Sequence, residues 1–258
     1  MLLLFFIAYL FDTNNNIINT LSMTCRILPL LLVFLMSFAL KSAVTRTDPK
    51  LVASVAANNL AAKIELVYYS LDSNHFAFPQ IACFKKAMEG FYSLKSKGLV
   101  LKDVLTVIDF SMSSTKKRLW VIDLSTNTIL YNTVVSHGIN SGGEYATSFS
   151  NSQSSNKSSL GFYTTGETYS GKHGLSLKLD GLEKGINSNA RVRAVVIHGA
   201  SYANPSIIKS QGYLGRSQGC PAIPEALKFQ IIKTIKGKSC VFIYHPSRGY
   251  EIVSRLVS

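Results

Sequence analysis

Cys220 stands in the turn Gly215-Arg216-Ser217-Gln218-Gly219-Cys220-Pro221, and about twenty residues upstream the apolar run Val195-Val196-Ile197 stops at His198-Gly199-Ala200. A thiol becomes a good nucleophile only beside a base or a positive environment, and histidine is its usual partner. An apolar β-branched run that ends at a histidine predicts a buried strand delivering an imidazole to a sheet edge. Gly219 permits a tight backbone that can aim amide N–H groups inward, and each such donor would stabilise a tetrahedral oxyanion by about 3–4 kcal/mol. Ser217 is a candidate substrate contact through its hydroxyl or backbone. Arg216 is a candidate carboxylate binder, because a fixed guanidinium matches carboxylate geometry. The residues thus spell thiol acyl transfer, with Cys220 and His198 catalytic and Ser217, Gly219 and Arg216 binding substrate or oxyanion. The competing reading of Cys220 is a buried cysteine in a turn beside a proline, and proximity to His198 decides between the two.

Other residues fit this chemistry less closely. His137 and His173 each adjoin a glycine and read either as cleft residues or as strand-end and loop histidines. Tyr202, just past the His198 strand, is placed for a rim but is not assigned to one. Trp120 alternates with apolar neighbours and reads as core. No acidic residue adjoins His198, which leaves a backbone carbonyl as one candidate for its orienting partner. The five histidines form no HExxH pattern and no two cysteines have zinc-ligand spacing, so neither a metal nor a cofactor is expected.

The elements that must position these residues follow from pattern. Leu51–Tyr69 reads as a helix, and a second runs from about Gln80 to Lys97 with Phe84, Ala87, Met88, Phe91 and Leu94 on one face and Gly98 as its stop. Strands are expected at Val104–Phe110, Arg118–Leu124 and Thr128–Ser136, the last two joined as a hairpin by Ser125-Thr126-Asn127. Gly138–Ser159 is polar and reads as a long surface loop of the kind that forms lids or rims. Further strands are expected at Leu160–Thr165, Leu175–Leu179, Val192–His198 and Ser239–Tyr244. A helix is expected over Pro224–Lys236, with Pro224 in its first turn and Gly237 closing it. The fold class is α+β: two helices, then a strand-rich domain built as a sandwich or mixed sheet.

The chain has 258 residues and a formal net charge of +13, of which residues 1–43 contribute one unit. Residues 1–43 contain two apolar stretches, Met1–Phe11 and Ile27–Leu40. The second is about fourteen residues, short of the roughly twenty that span a bilayer. With Arg26 before it and Ser37-Phe38-Ala39 within it, it reads as a signal peptide, with Met23 as an alternative start and Met1–Ser22 as an upstream extension. Left uncleaved, it would anchor the chain in a membrane. An exported basic protein points to an anionic partner such as a wall polymer or membrane surface. Nucleic acid is disfavoured, because the basic residues are scattered without aromatic interleaving. Beyond Cys25 there are three cysteines, Cys83, Cys220 and Cys240. Cys83 and Cys240 either pair as a disulfide or are small buried apolar residues.

These residues together resemble the murein L,D-transpeptidase catalytic domain family (YkuD-like). The specific matches are Val196-Ile197-His198-Gly199-Ala200 and Gly215–Pro221. Support comes from Val107–Ser111, Arg118–Leu124, Val135–Gly138, Phe149–Asn151, Ser159–Gly161, Tyr169–Gly174 and Leu179–Glu183. The resemblance implies residues 44–102 as an N-terminal helical segment and residues 103–258 as the catalytic domain, acting in the periplasm or cell envelope. It implies a Cys220 nucleophile, a His198 base and a peptidoglycan stem tetrapeptide as donor. Attack at the L-centre carbonyl of the third, diamino acid residue would release D-alanine, and an amine of a second stem would resolve the thioester into a 3→3 cross-link. Water as acceptor would make the protein an L,D-carboxypeptidase or endopeptidase, and a non-catalytic wall-binding protein is the alternative from another class. A papain-like protease is disfavoured by chain order, since there the cysteine precedes the histidine. Where the wider family reads Ser-His-Gly-Cys, this chain has Gln218 in place of the second histidine and Pro221-Ala222 after the cysteine. That departure bears on substrate contacts more than on the chemistry.

Overall fold

The computed structural model describes residues 49–257. The proposed signal peptide and membrane-anchoring segment lie outside the described residues, among which no helix is long and apolar enough to cross a membrane. Contacts divide the chain into Met1–Ala56 and a second unit, Ala57–Ser258, that contains the whole sheet.

The chain is α+β, as its pattern predicts. Helix α1 (Pro49–Tyr69) and helix α2 (Ile81–Ser96) precede eight strands: β1 (Val104–Asp109), β2 (Leu119–Asp123), β3 (Thr128–Thr133), β4 (Gly161–Gly171), β5 (Gly174–Gly181), β6 (Val196–Ala200), β7 (Ala222–Pro224) and β8 (Cys240–Tyr244). Three further helices are α3 (Pro205–Gln211), α4 (Lys228–Ile235) and α5 (Arg248–Val253). The strands form one mixed sheet in the order β3-β2-β1-β8-β4-β5-β6-β7, parallel at β1–β8 and β6–β7 and antiparallel elsewhere. Of the two architectures left open, the mixed sheet is the one formed. Its edges meet: the Ser136 N–H, just past β3, donates to the Ala222 carbonyl of β7 at 2.8 Å, so the sheet nearly closes on itself.

Helix α2 buries the face its periodicity marks, with Cys83, Phe84, Ala87, Met88, Phe91 and Leu94 against the sheet. It comes so close that a Cβ on Gly90 would sit 2.0 Å from the Phe162 ring of β4. Gly98, at φ +68°, ends the helix in the left-handed conformation, as expected. Cys83 and Cys240 are both free and buried, so they are core residues and not a disulfide. Trp120 is core too, its indole N–H donating to the Ala77 carbonyl at 2.7 Å.

Two segments differ from the sequence expectation. The helix expected from Pro224 begins as α4 at Lys228, after a 3₁₀ turn over Glu225–Leu227, because residues 222–224 pair with β6 (His198↔Ala222, Ala200↔Pro224). Pro224 has no N–H to donate, which the end of an edge strand tolerates. Glu225 opens that 3₁₀ turn, and its half-exposed carboxylate accepts from the largely buried Lys228, Nζ to Oε2 at 2.7 Å. Strand β6 likewise starts four residues late. Val192 is 71 % exposed in a turn that the Glu183 and Asn187 side chains organise: the Glu183 N–H donates to Asn187 Oδ1 at 2.9 Å, and the Asn187 amide donates to the Leu160 and Phe162 carbonyls. Helices α3 and α5 are too short to leave a periodic signal. The Glu183 carboxylate also accepts from the Tyr250 hydroxyl of α5 and from Ser254, fastening the chain's last helix to the β5–β6 connection.

Candidate active site

Parallel pairing of β6 with β7 sets His198 opposite Ala222, two residues beyond Cys220, so the strand-end histidine and the turn cysteine arrive at the same edge of the sheet. Both line one open cavity of about 790 Å³, a volume in the range of small-ligand sites. The 138–159 loop supplies one wall through Ile139, Gln153, Ser154 and Asn156. The tip of the β4–β5 hairpin supplies another through Tyr169, Lys172 and His173. Lys172, Arg193 and Arg216 carry positive charge, and no carboxylate is among the described residues that line it.

His198 is 2 % exposed. Its Nδ1 lies 2.8 Å from the Gly199 carbonyl oxygen, which can only accept, so Nδ1 carries the proton and Nε2 keeps the lone pair. A backbone carbonyl is therefore the orienting partner, one of the candidates left open by the sequence. Burial pushes the His198 pKa below the usual imidazole range, against the Gly199 hydrogen bond, and the neighbouring His173 pushes it further down. The His173 ring stacks on His198, centroids 4.2 Å apart, and Tyr202 meets it edge-on at 6.5 Å. His173 and Tyr202 thus belong to the cleft.

The Cys220 thiol is half-buried. Its sulfur accepts from the Val196 N–H at 3.5 Å and donates to the Ala194 carbonyl at 3.7 Å. No hydrogen bond joins thiol and imidazole among the described residues. Burial pushes the thiol pKa up, while the Val196 N–H and the charge of Arg193 oppose that. Both shifts favour the neutral forms, thiol and imidazole.

The turn that presents Cys220 is tightly held. The Ser217 hydroxyl donates to the Cys220 carbonyl at 2.6 Å and accepts from the Gly219 N–H at 3.0 Å. On the other side the Ser217 N–H donates to the His137 carbonyl at 2.9 Å, and the Ile139 N–H donates to the Ser217 carbonyl at 2.7 Å. Ser217 therefore shapes the turn. Gly219 adopts φ +119°, and a Cβ there would lie 2.9 Å from the Lys157 carbonyl oxygen. Only glycine is comfortable in that conformation. The Gly219 amide is held by Ser217, whereas the Arg216, Gln218 and Cys220 amides have no acceptor among the described residues, and of these the Cys220 N–H is on the thiol's own residue. Arg216 lines the cavity, donating to the Gly142 carbonyl at 3.1 Å and lying over the Tyr213 ring.

His137 is placed differently from the other histidines: it is fully buried and does not line the cavity. Its Nδ1 accepts from Arg118 Nη2 at 2.8 Å, and Arg118, also fully buried, donates as well to Val135 and Met112 carbonyls. Burial first, then Arg118, drive the His137 pKa down to about 4. It is a structural histidine beneath the turn. The residue the sequence reading passed over is Arg193, absorbed there into the β6 run although it breaks that run's apolar character.

The model of the L,D-transpeptidase catalytic domain family matches residues 79–244, more than half of the chain and all of β1–β8. No curated protein matches it. Among solved structures it is similar to an L,D-transpeptidase from Mycobacterium smegmatis at 13% identity and TM-score 0.35, covering 55% of this chain and 59% of that one. It is similar also to the helical cell shape determining protein Pgp2 from Campylobacter jejuni, at 14% identity and TM-score 0.38, covering 67% and 60%. An L,D-transpeptidase from Stackebrandtia nassauensis matches at 11% identity and TM-score 0.34, covering 65% and 68%. The chain thus spans about three-fifths of the length of the first of these proteins.

Proposed function

We propose, for a chain that belongs to the L,D-transpeptidase catalytic-domain family, that it is a cysteine L,D-transpeptidase of the cell envelope acting on peptidoglycan stem peptides. The observation that carries this reading is the meeting of Cys220 and His198 in one cation-lined cavity. In the first half-reaction the Cys220 thiol gives its proton to His198 Nε2 as sulfur attacks the donor carbonyl. The oxyanion forms within reach of the Cys220 N–H. Collapse breaks the C–N bond, and the imidazolium returns its proton to the leaving D-alanine amine, leaving a thioester. In the second, an acceptor amine attacks that thioester while His198 takes its proton, and the thiol leaves protonated. The low-lying imidazole pKa suits this cycle, since His198 stays neutral and ready to accept at neutral pH.

Arg216 keeps its other guanidinium nitrogens without an acceptor among the described residues, which supports its reading as a contact for a substrate carboxylate. The cationic lining suits an acidic wall polymer. With water as acceptor the same steps give an L,D-carboxypeptidase. The test is mass spectrometry of purified disaccharide-tetrapeptide incubated with the protein and with Cys220→Ala. Loss of D-alanine with a cross-linked dimer, absent in the variant, is the expected result. Loss of D-alanine without dimer makes it a carboxypeptidase. An unchanged substrate with folded protein, and binding to sacculi that survives Cys220→Ala, would leave a non-catalytic wall-binding role.

A further inference from the structure

Arg191 and Arg193 sit two residues apart on the turn before β6, yet their charges are treated differently. Arg191 is neutralised: its Nε meets Asp180 Oδ1 at 2.6 Å and its Nη1 meets Glu167 Oε1 at 2.7 Å. The Arg193 side chain donates only to neutral oxygens among the described residues. These are the Ser150 carbonyl at 2.8 Å, the Lys157 carbonyl at 2.5 Å, the Ser155 hydroxyl at 3.3 Å and the Ser159 hydroxyl. Those four bonds fix the guanidinium without cancelling its charge, and no carboxylate lines the cavity beside it.

That held charge lies against the cysteine turn. Arg193 Nη2 is 3.4 Å from where a Cβ of Gly219 would be, next to Cys220 in the chain. The backbone that follows Arg193 cradles the thiol: Ala194, at φ +53°, turns its carbonyl to the sulfur, and Val196 donates its N–H. A non-glycine residue in that conformation is held there by its surroundings.

We propose that Arg193 is a positioning residue for Cys220, whose uncompensated cation favours the thiolate while its fork ties the 150–159 loop to the turn that cradles the sulfur. The proposal rests on the reading of Cys220 as nucleophile. The other titratable or charged groups lining the cleft with the thiol are His198 and Tyr202 around β6, Tyr169, Lys172 and His173 on the β4–β5 hairpin, and Arg216 on its own turn. Of these cations Lys172 makes no hydrogen bond among the described residues and Arg216 is held through Nη1 alone, whereas four hydrogen bonds fix the Arg193 guanidinium against the turn. The charge of Arg193 pulls the thiol pKa down against burial.

The test is the rate at which iodoacetamide alkylates Cys220, read by peptide mass spectrometry between about pH 6 and 10. Cys83 and Cys240 are buried and are read separately by the same peptides. Arg193→Gln is expected to slow alkylation near neutral pH by about three- to tenfold and move its midpoint upward. Arg193→Lys, which keeps the charge and loses the fork, should keep the midpoint. Arg191→Gln, which removes an already neutralised charge, should match the wild type. Coincident titrations of wild type and Arg193→Gln would overturn the proposal, as would an Arg193→Lys midpoint displaced as far as that of the glutamine variant. If Arg193→Gln does not fold, Arg193→Met tests the same loss of charge, and a midpoint coincident with wild type overturns the proposal. Alkylation reads the thiol whatever its role, while turnover by Cys220→Ala would refute the nucleophile reading separately.

Discussion

Acidification from about pH 8 to about pH 5 should cost this protein roughly 2 kcal/mol of folding stability through one residue, His137. Its imidazole is fully buried, with Nδ1 bound to accept from a buried arginine, and its folded pKa is about 4 against an ordinary value of 6.5. A proton there would sit beside the Arg118 guanidinium with no carboxylate in contact. The sign follows from proton binding: between these two values the unfolded chain holds the proton and the folded chain refuses it. Stability is thus full above about 6.5, falls as pH drops and levels off below about 4. Integrating over that window gives about 2 kcal/mol by pH 5 and about 3 kcal/mol at its lower end, at 1.36 kcal/mol per pH unit. With a urea m-value of about 2 kcal/mol/M, the midpoint at pH 5 should lie about 1 M below that at pH 8. His137→Asn is the matched variant, since its Oδ1 offers Arg118 an acceptor where Nδ1 was but cannot titrate. It should be less stable at pH 8, from lost packing, yet lose about 2 kcal/mol less on acidification. His198 and His245 titrate in both proteins and cancel in the difference. Equal losses in the two proteins would refute the reasoning.

Three further outcomes are expected. Gly219→Ala must place a Cβ 2.9 Å from the Lys157 carbonyl at φ +119°. It should cost about 1–3 kcal/mol in urea denaturation and at least about tenfold in turnover, and wild-type values for both would show that the turn relaxes freely. The acid limb of kcat/KM should have its midpoint below 6.5, because the rate falls as pH drops through the lowered pKa of His198; a midpoint near 7 or above would remove His198 as the base. Arg216→Ala should raise KM about three- to tenfold, while Arg255→Ala, an exposed arginine, should leave it alone. Equal effects would dismiss Arg216 as a carboxylate contact.

Cys220 and His198, the pair proposed to carry the chemistry, stand out because each sits in a local pattern strong enough to survive without tertiary information. His198 ends an apolar β-branched run, and Cys220 lies in a glycine turn. Most elements were readable for the same reason, as with the α2 face and the β2–β3 hairpin. The misplacements share a physical cause. The expected helix starts at Pro224 because a proline followed by a glutamate is locally helix-like, but pairing of residues 222–224 with β6 outweighs that preference. The parts played by Arg193 and Ala194, and the choice between the two readings of His173, depend on residues about twenty-five to forty positions away, such as Ser150, Lys157, Cys220 and His198. Gly90 is a further case, since the Phe162 ring that demands it lies on another element.

The joint where the two edges of the sheet meet has a consequence in time. The Ser136–Ala222 and Gly138–Ser217 contacts brace the cysteine turn, and each joins residues about eighty positions apart across β4, β5 and β6. Such distant pairings carry a heavy loop-closure cost and come late in assembly. A nascent or partly folded chain therefore carries Cys220 as an ordinary thiol on a loose loop. The setting of the sulfur between Ala194 and Val196 is completed only by the final closure of the fold, so the change in Cys220 alkylation rate during refolding would serve as a clock for that last event.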